Sequence, residues 1–160
     1  MIDYIHKRNA HIMISVWASF GPWTEMYHKM DSLNALLHFE TWPPKAGVKP
    51  YDPFNPVARS IYWNEMKKNI FDLGMDGWWL DSTEPDHLEI QDKDFDTKTY
   101  LGSFRRVHNA FPLMSIKVFM STSVLPLPTS GYSYLPVLHS WDSSVMLHIH
   151  GVAMSFLLGK

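Results

Sequence analysis

One carboxylate in the middle of the chain stands where a short apolar stretch ends, and its position suits it to chemistry. Asp81 directly follows residues 77–80 (GWWL), which we predict to form a buried strand. In parallel α/β folds, and in barrels especially, ligands bind at the carboxyl ends of the strands. A carboxylate in that position, behind two tryptophans, can act as a nucleophile or as a general base. A functional role is therefore the favoured interpretation of Asp81.

The stretch around Asp81 is acidic, and most of its other acids are interpreted as structural rather than functional. Eight of the sixteen acidic residues lie in residues 76–96, and most are interpreted as turn residues, helix caps and a solvated loop. A metal cluster formed by the acids and the histidine of residues 81–87 (DSTEPDH) is an alternative, although Pro85 favours a rigid catalytic loop. His148 and His150 form a weaker pair of candidate metal ligands. We predict no metal and no cofactor.

The elements that would position Asp81 alternate between strand and helix. Residues 11–17 (HIMISVW) form a short apolar run that is typical of a buried strand. Asn55 and Pro56 suit the first positions of a helix, and Gly74 suits the position just after its end. Five apolar residues are expected to form the buried face of this helix: Val57, Ile61, Met66, Ile70 and Leu73.

Further along the chain, a second helix is predicted from Asp96 or Thr97 through Phe111, and a third strand at residues 113–119. Apolar strands separated by helices indicate a parallel sheet in an α/β protein. A long connection between the first strand and the first helix is interpreted as a functional loop on the carboxyl side of a strand. Prolines punctuate this loop: Pro43, Pro44, Pro50, Pro53 and Pro56.

Composition narrows the classes of function. The chain has 160 residues, of which 46% are apolar and 19% charged, as expected of roughly one folded domain. A net charge of −2 argues against a broad basic face for nucleic acid, and no apolar run reaches the length that spans a bilayer. We therefore predict no nucleic-acid partner and no membrane partner.

The absence of cysteine excludes disulfides, thiolate zinc sites and cysteine nucleophiles. Seven tryptophans could form core or stack on sugar rings.

Four blocks of sequence, by their order and spacing, resemble glycoside hydrolase family 31, and most closely its α-xylosidase-like bacterial members. The blocks are residues 11–22 (HIMISVWASFGP), 51–59 (YDPFNPVAR), 73–87 (LGMDGWWLDSTEPDH) and 96–114 (DTKTYLGSFRRVHNAFPLM). Members of this family are retaining α-glycosidases built on a (β/α)8 barrel. Because a complete barrel needs about 250 residues, the resemblance implies an incomplete (β/α)8 TIM barrel with parallel strands.

The resemblance also implies roles for individual residues. In the family, the nucleophile is the aspartate of a W-x-D-[MS]-[NT]-E-P motif, which residues 79–85 (WLDSTEP) match. Asp81 is therefore expected to be the catalytic nucleophile. Trp79, Trp17 and Trp42 are expected to line the sugar-binding subsite.

The last part of the chain departs from the family pattern. Residues 118–160 contain only two of the chain's charged residues, Asp142 and Lys160. In the family, a strand ending in an arginine-serine pair and a W-S-G-D motif with the acid/base aspartate follow at this point. The acid/base is expected here near Pro136, where the sequence has no acid. We therefore predict a partial catalytic barrel over residues 1–117 and an atypical tail, a truncated or frame-shifted continuation of the barrel, over residues 118–160.

These observations leave three hypotheses for function. The first is part of a retaining α-glycosidase that hydrolyses O-glycosyl bonds of an α-xyloside or α-glucoside, with an oligosaccharide or glycoside as substrate. The second is a catalytically inactive remnant that at most binds carbohydrate, because the acid/base is missing. The third is a metal-dependent hydrolase that uses the carboxylate–histidine cluster of residues 81–87.

Overall fold

The computed structural model describes residues 1–81, 83, 91–122, 124–126, 132–134 and 137–139. The α-helices are α1 (Ile2–His6), α2 (Glu25–Ser32), α3 (Pro56–Asn69), α4 (Phe104–Val107) and α5 (Phe111–Thr122). Short 3₁₀ helices cover Phe71–Leu73, Asp92–Asp96 and His108–Ala110. The strands are β1 (Met13–Trp17), β2 (Ser19–Phe20), β3 (Lys49–Pro50), β4 (Gly77–Asp81), β5 (Lys98–Thr99), β6 (Gly102–Ser103), β7 (Val124–Pro126), β8 (Tyr132–Tyr134) and β9 (Val137–His139). None of the described helices is long and apolar enough to cross a membrane.

A parallel three-stranded sheet forms the centre of the fold, with the strand order β1-β4-β9. Residues 13–17 of β1 lie opposite residues 77–81 of β4, one for one. Strand β9 lies on the other side of β4, with residues 137–139 opposite residues 78–80. The predicted parallel sheet and its first two strands are confirmed. The third strand comes from within the predicted tail, and α5 crosses the proposed boundary at residue 117.

The two faces of this sheet differ in burial. Val16, Trp78 and Leu80 are buried on one face, while Ser15 and Trp79, which lie opposite each other in the register, are exposed on the other. Successive residues of a strand point to opposite faces. Among the residues that the structure describes, the helices therefore cover one face of the sheet and leave the other face open.

Three aromatic rings hold α3 and α5 against the covered face. Trp78 is fully buried, and its ring centroid lies 6.4 Å from that of Trp63 on α3 and 5.3 Å from that of Phe119 on α5. Trp63 and Phe119 themselves are 5.7 Å apart, edge to face. Edge-to-face pairs at these separations are favourable beyond the area they bury. This three-ring contact fixes both helices relative to β4.

Helix α3 begins where the sequence predicts, and its buried face overlaps the predicted one in part. The side chain of Asn55 accepts hydrogen bonds from the amides of Val57 (2.9 Å) and Ala58 (3.3 Å). Gly74, with φ of 95°, follows the short 3₁₀ turn after the helix. The predicted apolar stripe is confirmed in part, because Met66 is buried and Ile61 and Ile70 pack against the core, whereas Val57 and Leu73 are exposed. Ala58, Tyr62 and Trp63 are also buried, since the two aromatic side chains turn the largest apolar area toward the sheet.

The third predicted strand, residues 113–119, is wrong, because this segment lies within α5. Phe111, Ser115, Val118 and Phe119 are buried and Leu113 is exposed. Burial at spacings of four, seven and eight residues is the pattern of a helix with one covered face, not of a strand. A nearly continuous apolar run does not distinguish a buried strand from a helix of this kind.

The helix predicted over residues 96–111 begins later than expected, at Phe104. A short antiparallel hairpin of β5 and β6 comes first. Its turn includes Gly102 with φ of 115°, whose carbonyl accepts a hydrogen bond from the hydroxyl of Thr99 (2.8 Å). The amide of Phe104 then donates to the carbonyl of Thr97 (2.8 Å), which closes the hairpin. A positive φ at this glycine is incompatible with a continuous helix.

The first testable prediction concerns the start of α3. Replacing Asn55 by Ala removes the acceptor of two amides in the first turn, so the free energy of unfolding should fall by about 1 kcal/mol. Urea unfolding followed by circular dichroism measures the change. Ser60→Ala is the matched control, because Ser60 is exposed on the same helix, and it should change stability by much less. Equal effects of the two substitutions would contradict the capping role of Asn55.

A carboxylate joins α1 to the starts of β1 and β4. The carboxyl oxygens of Asp76 lie 2.7 Å from Nε2 of His6 and 3.2 Å from Nδ1 of His11, and one also accepts the amide of Ile12 (2.9 Å). Burial raises the pKa of Asp76, but the hydrogen bonds from Ile12, His6 and His11 outweigh it and leave the pKa below its ordinary value. The ionised form therefore stabilises the folded state.

The second prediction follows from the sign of this shift. A carboxyl with a lowered pKa contributes stability that is present above its unfolded pKa, near 4, and is lost as the pH falls through the folded value. Asp76→Asn should therefore lower the free energy of unfolding by about 1–2 kcal/mol at pH 7, and this deficit should shrink below about pH 4. Urea midpoints across this pH range measure it, with Asp31→Asn on the exposed side of α2 as control. A deficit that stays constant with pH would contradict the role of the ionised carboxylate.

Candidate active site

The predicted nucleophile and one predicted sugar-contacting tryptophan are direct neighbours across the sheet. Asp81 is the last residue of β4, Trp17 is the last residue of β1, and the two are paired in the parallel register. Both side chains are partly exposed. Because paired residues of neighbouring strands point to the same side, the carboxylate and the indole share the open face at the carboxyl end of the sheet.

Trp79 lies on the same open face, one layer below Asp81. It precedes Asp81 by two residues, which places both on one side of β4. Its side chain is 41% exposed although it lies in a central strand. An exposed indole in such a position presents an apolar ring next to a carboxylate. The structure thus brings Asp81, Trp17 and Trp79 together.

A buried tyrosine, Tyr62, fixes the backbone of Trp17. The hydroxyl of Tyr62 on α3 donates a hydrogen bond to the carbonyl of Trp17 (3.0 Å). Burial raises the pKa of Tyr62, so the hydroxyl keeps its proton and remains a donor. The ring of Tyr62 also contacts those of Phe20 (5.8 Å) and Tyr51 (5.2 Å). The end of β1 is therefore held to the helix behind it.

Trp42, the third predicted wall residue, lies on the long loop that follows β1 rather than on the sheet. The amide of Thr41 donates to the carbonyl of Val48 (2.9 Å), which closes the segment 41–48. Trp42 is 50% exposed within this segment. Strands β2 and β3 pair in antiparallel fashion and hold the base of the loop. The loop thus follows the carboxyl end of a parallel strand, as predicted from the sequence, and Trp42 lies within it.

Sequence reasoning missed Asp52, which connects this loop to the segment after β4. One carboxyl oxygen accepts the amide of Phe54 (2.9 Å), and the other accepts the amide of Tyr100 in the β5–β6 turn (2.6 Å). The amide of Asp52 donates to the carbonyl of Ala35 (2.7 Å). Burial raises the pKa of Asp52, and the amides of Tyr100 and Phe54 oppose this effect only in part. The only signal in the sequence was an aspartate between two aromatic residues and prolines.

A second link fixes the chain shortly after the candidate nucleophile. Arg105 on α4 contacts Asp92 (3.0 Å) and Asp96 (3.1 Å) and also donates to the carbonyl of Asp92 (2.9 Å). These two acids begin and end the 3₁₀ helix of residues 92–96. Both belong to the acidic stretch of residues 76–96. Their structural role agrees with the interpretation of those acids as turn and capping residues.

The candidate metal groups of the sequence lie largely outside the described residues. Of the cluster within residues 81–87, Glu84, Asp86 and His87 are outside, and so are His148 and His150. Within the part of the chain that the structure describes, no group of three or more histidine, cysteine or acidic side chains is arranged to hold a metal ion. Among the described residues, the candidate site consists of a carboxylate, Asp81, and two indoles, Trp17 and Trp79.

Comparisons with known proteins agree with this arrangement. A sequence profile for the glycosyl hydrolases family 31 TIM-barrel domain matches residues 1–126. An α-xylosidase of Saccharolobus solfataricus is 32% identical over 120 residues, which are 73% of this chain and 15% of that protein. The chain therefore spans a small part of the length of this relative.

Solved structures show the same relationship. A family 31 α-xylosidase from Xanthomonas citri has a TM-score of 0.65 at 28% identity, covering 74% of this chain and 14% of its own. A family 31 α-xylosidase from a soil metagenome, solved with xylose, has a TM-score of 0.66 at 28% identity, covering 75% and 18%. The parallel strands and their covering helices are thus part of a TIM barrel. The chain belongs to glycoside hydrolase family 31, and its residues 1–126 match that family's TIM-barrel domain.

Proposed function

We propose that this chain carries the nucleophile of a retaining α-glycosidase, and that Asp81 is this nucleophile. The ionised carboxylate attacks the anomeric carbon of the substrate, the glycosidic bond breaks, and a covalent glycosyl-enzyme forms. A second carboxyl group, about 5–5.5 Å away in such enzymes, protonates the leaving oxygen and later activates the water that releases the sugar. Two inversions at the anomeric carbon give net retention.

The pairing of Asp81 with Trp17 at the carboxyl end of β1 and β4 is the observation that carries this proposal. Active sites of TIM barrels lie at this end of the strands. The carboxylate is partly exposed, so a substrate can reach it. Family membership supports the same chemistry, because the aspartate stands in the segment that resembles the family's nucleophile motif.

We propose an α-xyloside or an α-glucoside as the substrate, bound as an oligosaccharide or a simple glycoside. Trp79 and Trp17 share the open face with Asp81 and can stack on the apolar face of a pyranose ring. Trp42 is exposed on the loop that follows β1, and we propose that it extends this wall. The relatives named above are α-xylosidases, which favours xylose as the sugar at the anomeric bond.

We do not expect residues 118–160 to supply the acid/base that the mechanism needs. Asp142 is the only acid in residues 118–160, and the position near Pro136 holds none. We therefore propose that the chain alone forms a glycosyl-enzyme only with substrates whose leaving group needs no proton. The second candidate is an inactive remnant that only binds carbohydrate. It is favoured because no acid stands near Pro136, where the acid/base is expected.

The third prediction tests the nucleophile in a complete barrel. Residues 1–122 of this chain replace the matching segment of the Saccharolobus α-xylosidase, and activity is measured with an aryl α-xyloside. Asp81→Ala should lower kcat by roughly 10⁴-fold, because the covalent step is lost. Added azide should restore turnover by entering the space left by the carboxylate, and the product should be the β-glycosyl azide.

Asp72→Asn is the matched control for this experiment, since Asp72 is an exposed acid that pairs with Lys67 before β4 begins. It should leave kcat unchanged. A fluorinated mechanism-based xyloside should label Asp81 in the unmodified chimera, as mass spectrometry of its peptides would show. Labelling of Glu84 or Asp86, or near-normal activity of Asp81→Ala, would contradict the assignment.

The fourth prediction concerns the chain itself and the missing acid. With α-xylosyl fluoride, whose leaving group needs no protonation, the chain should release about one fluoride per molecule in a burst and then react slowly. An alkyl α-xyloside should not be hydrolysed. Comparable steady-state rates for both substrates would show that an acid/base is present. Binding of xylose without any burst would favour the carbohydrate-binding remnant instead.

A further inference from the structure

Two neighbouring tyrosines anchor two consecutive carbonyls at the end of β1, each in a different way. The carbonyl of Trp17 accepts a hydrogen bond from the side-chain hydroxyl of Tyr62 (3.0 Å). The carbonyl of Ala18 accepts one from the backbone amide of Tyr51 (3.2 Å). Any residue except proline could supply the second of these bonds, whereas the first depends on a phenol at position 62.

The ring of Tyr62 is enclosed by other aromatic rings, which hold its hydroxyl in place. Its centroid lies 5.2 Å from that of Tyr51, 5.8 Å from that of Phe20 and 5.8 Å from that of Phe119 on α5. Tyr62 itself is buried. Close-packed side chains of this kind keep one rotamer on average. The hydroxyl of Tyr62 is therefore a donor with a fixed position relative to β1.

The hydroxyl of Tyr51 differs from that of Tyr62, although the two rings touch. It is buried, and it has no hydrogen-bond partner among the residues that the structure describes. Removing the hydroxyl of Tyr62 takes a donor away from the carbonyl of Trp17, whereas removing that of Tyr51 breaks no described hydrogen bond. The cluster thus contains its own comparison for the effect of a single oxygen atom.

The carbonyl that Tyr62 holds belongs to the residue paired with the candidate nucleophile. Trp17 lies opposite Asp81 in the parallel register, so their side chains point to the same side of the sheet. The peptide plane that carries this carbonyl adjoins the Cα of Trp17, so a rotation of the plane turns the Cα–Cβ bond and moves the indole. A displacement of about 1 Å in a group that positions a substrate can cost about a hundredfold in rate.

We propose that Tyr62 is a positioning residue for the glycosidase reaction, and that its hydroxyl acts through the carbonyl of Trp17 to set where the indole holds the sugar ring for attack by Asp81. This proposal rests on the proposed function of Asp81 and Trp17. Tyr62 acts from the covered face of the sheet and transfers no proton to the substrate. Its hydroxyl should therefore affect the reaction only while the indole of Trp17 is present.

The first experiment removes one oxygen atom from the chain and measures the covalent step. With α-xylosyl fluoride, Tyr62→Phe should lower the rate constant of the fluoride burst about tenfold, as expected of a displacement smaller than 1 Å. Tyr51→Phe is the matched control and should leave this rate constant unchanged. Circular dichroism should show that both variants are folded. An unfolded Tyr62→Phe would give the hydroxyl a purely structural role and overturn the inference.

A double-mutant cycle then separates positioning from general stabilisation. In the background of Trp17→Ala, Tyr62→Phe should change the burst rate constant by less than about twofold, because the indole that the hydroxyl positions is gone. The urea midpoint should fall by the same amount in both backgrounds, since the carbonyl at residue 17 is still present. The same tenfold loss of rate with and without the indole would overturn the inference.

A second measurement does not depend on catalysis. In the chain labelled with 5-fluorotryptophan, the fluorine resonance of Trp17 is identified by its loss in Trp17→Phe. This resonance should shift in Tyr62→Phe and keep its position in Tyr51→Phe. An unshifted resonance in Tyr62→Phe would overturn the inference whether or not fluoride is released, as would an equal shift in Tyr51→Phe. A missing burst in the unmodified chain would instead contradict the proposed function, and the resonance would then decide the inference.

Discussion

The parallel pairing of β1 with β4 is the constraint on which the rest of the structure depends. Its register places Trp17 beside Asp81, and the alternation along β4 places Trp79 on the same face. The same alternation turns Trp78 to the opposite face, where Trp63 and Phe119 contact it. A slip of one residue in this pairing would exchange the two faces. The site and the helix packing are therefore set by one register.

Long-range links then give the loops at the carboxyl end a fixed position. Tyr62 holds the end of β1 through the carbonyl of Trp17, and Asp52 holds the loop after β1 to the turn after β4. Both groups are buried, and in both the hydrogen-bond partner is a backbone atom. Backbone partners constrain the path of the chain rather than the rotamer of one side chain. The segments around the candidate nucleophile are thus positioned by groups buried behind them.

The sequence was most informative where local chemistry and pattern agree. The cap at Asn55, the apolar run ending at Asp81 and the family motif around it predict the helix, the strand and the candidate nucleophile. It was misleading at residues 113–119, where an apolar run satisfies both a strand and a helix that is buried on one side. Asp52 could not be predicted, because its partner Tyr100 is 48 residues away and donates a backbone amide, which any residue except proline would supply.

The Asp52 carboxylate has a consequence for how this end of the fold can change. One of its oxygens accepts a hydrogen bond from the amide of Phe54 in its own loop (2.9 Å). The other accepts one from the amide of Tyr100 in the β5–β6 turn (2.6 Å). An insertion on either side moves one of these amides away and leaves a buried oxygen without its donor, at a cost of about 1–3 kcal/mol or more for a charged group. The two loops can therefore be replaced only together. A chimera that takes one loop from a relative and keeps the other loses a hydrogen bond of the Asp52 carboxylate, whereas a chimera that takes both loops from the same relative keeps the pair of loops matched to each other.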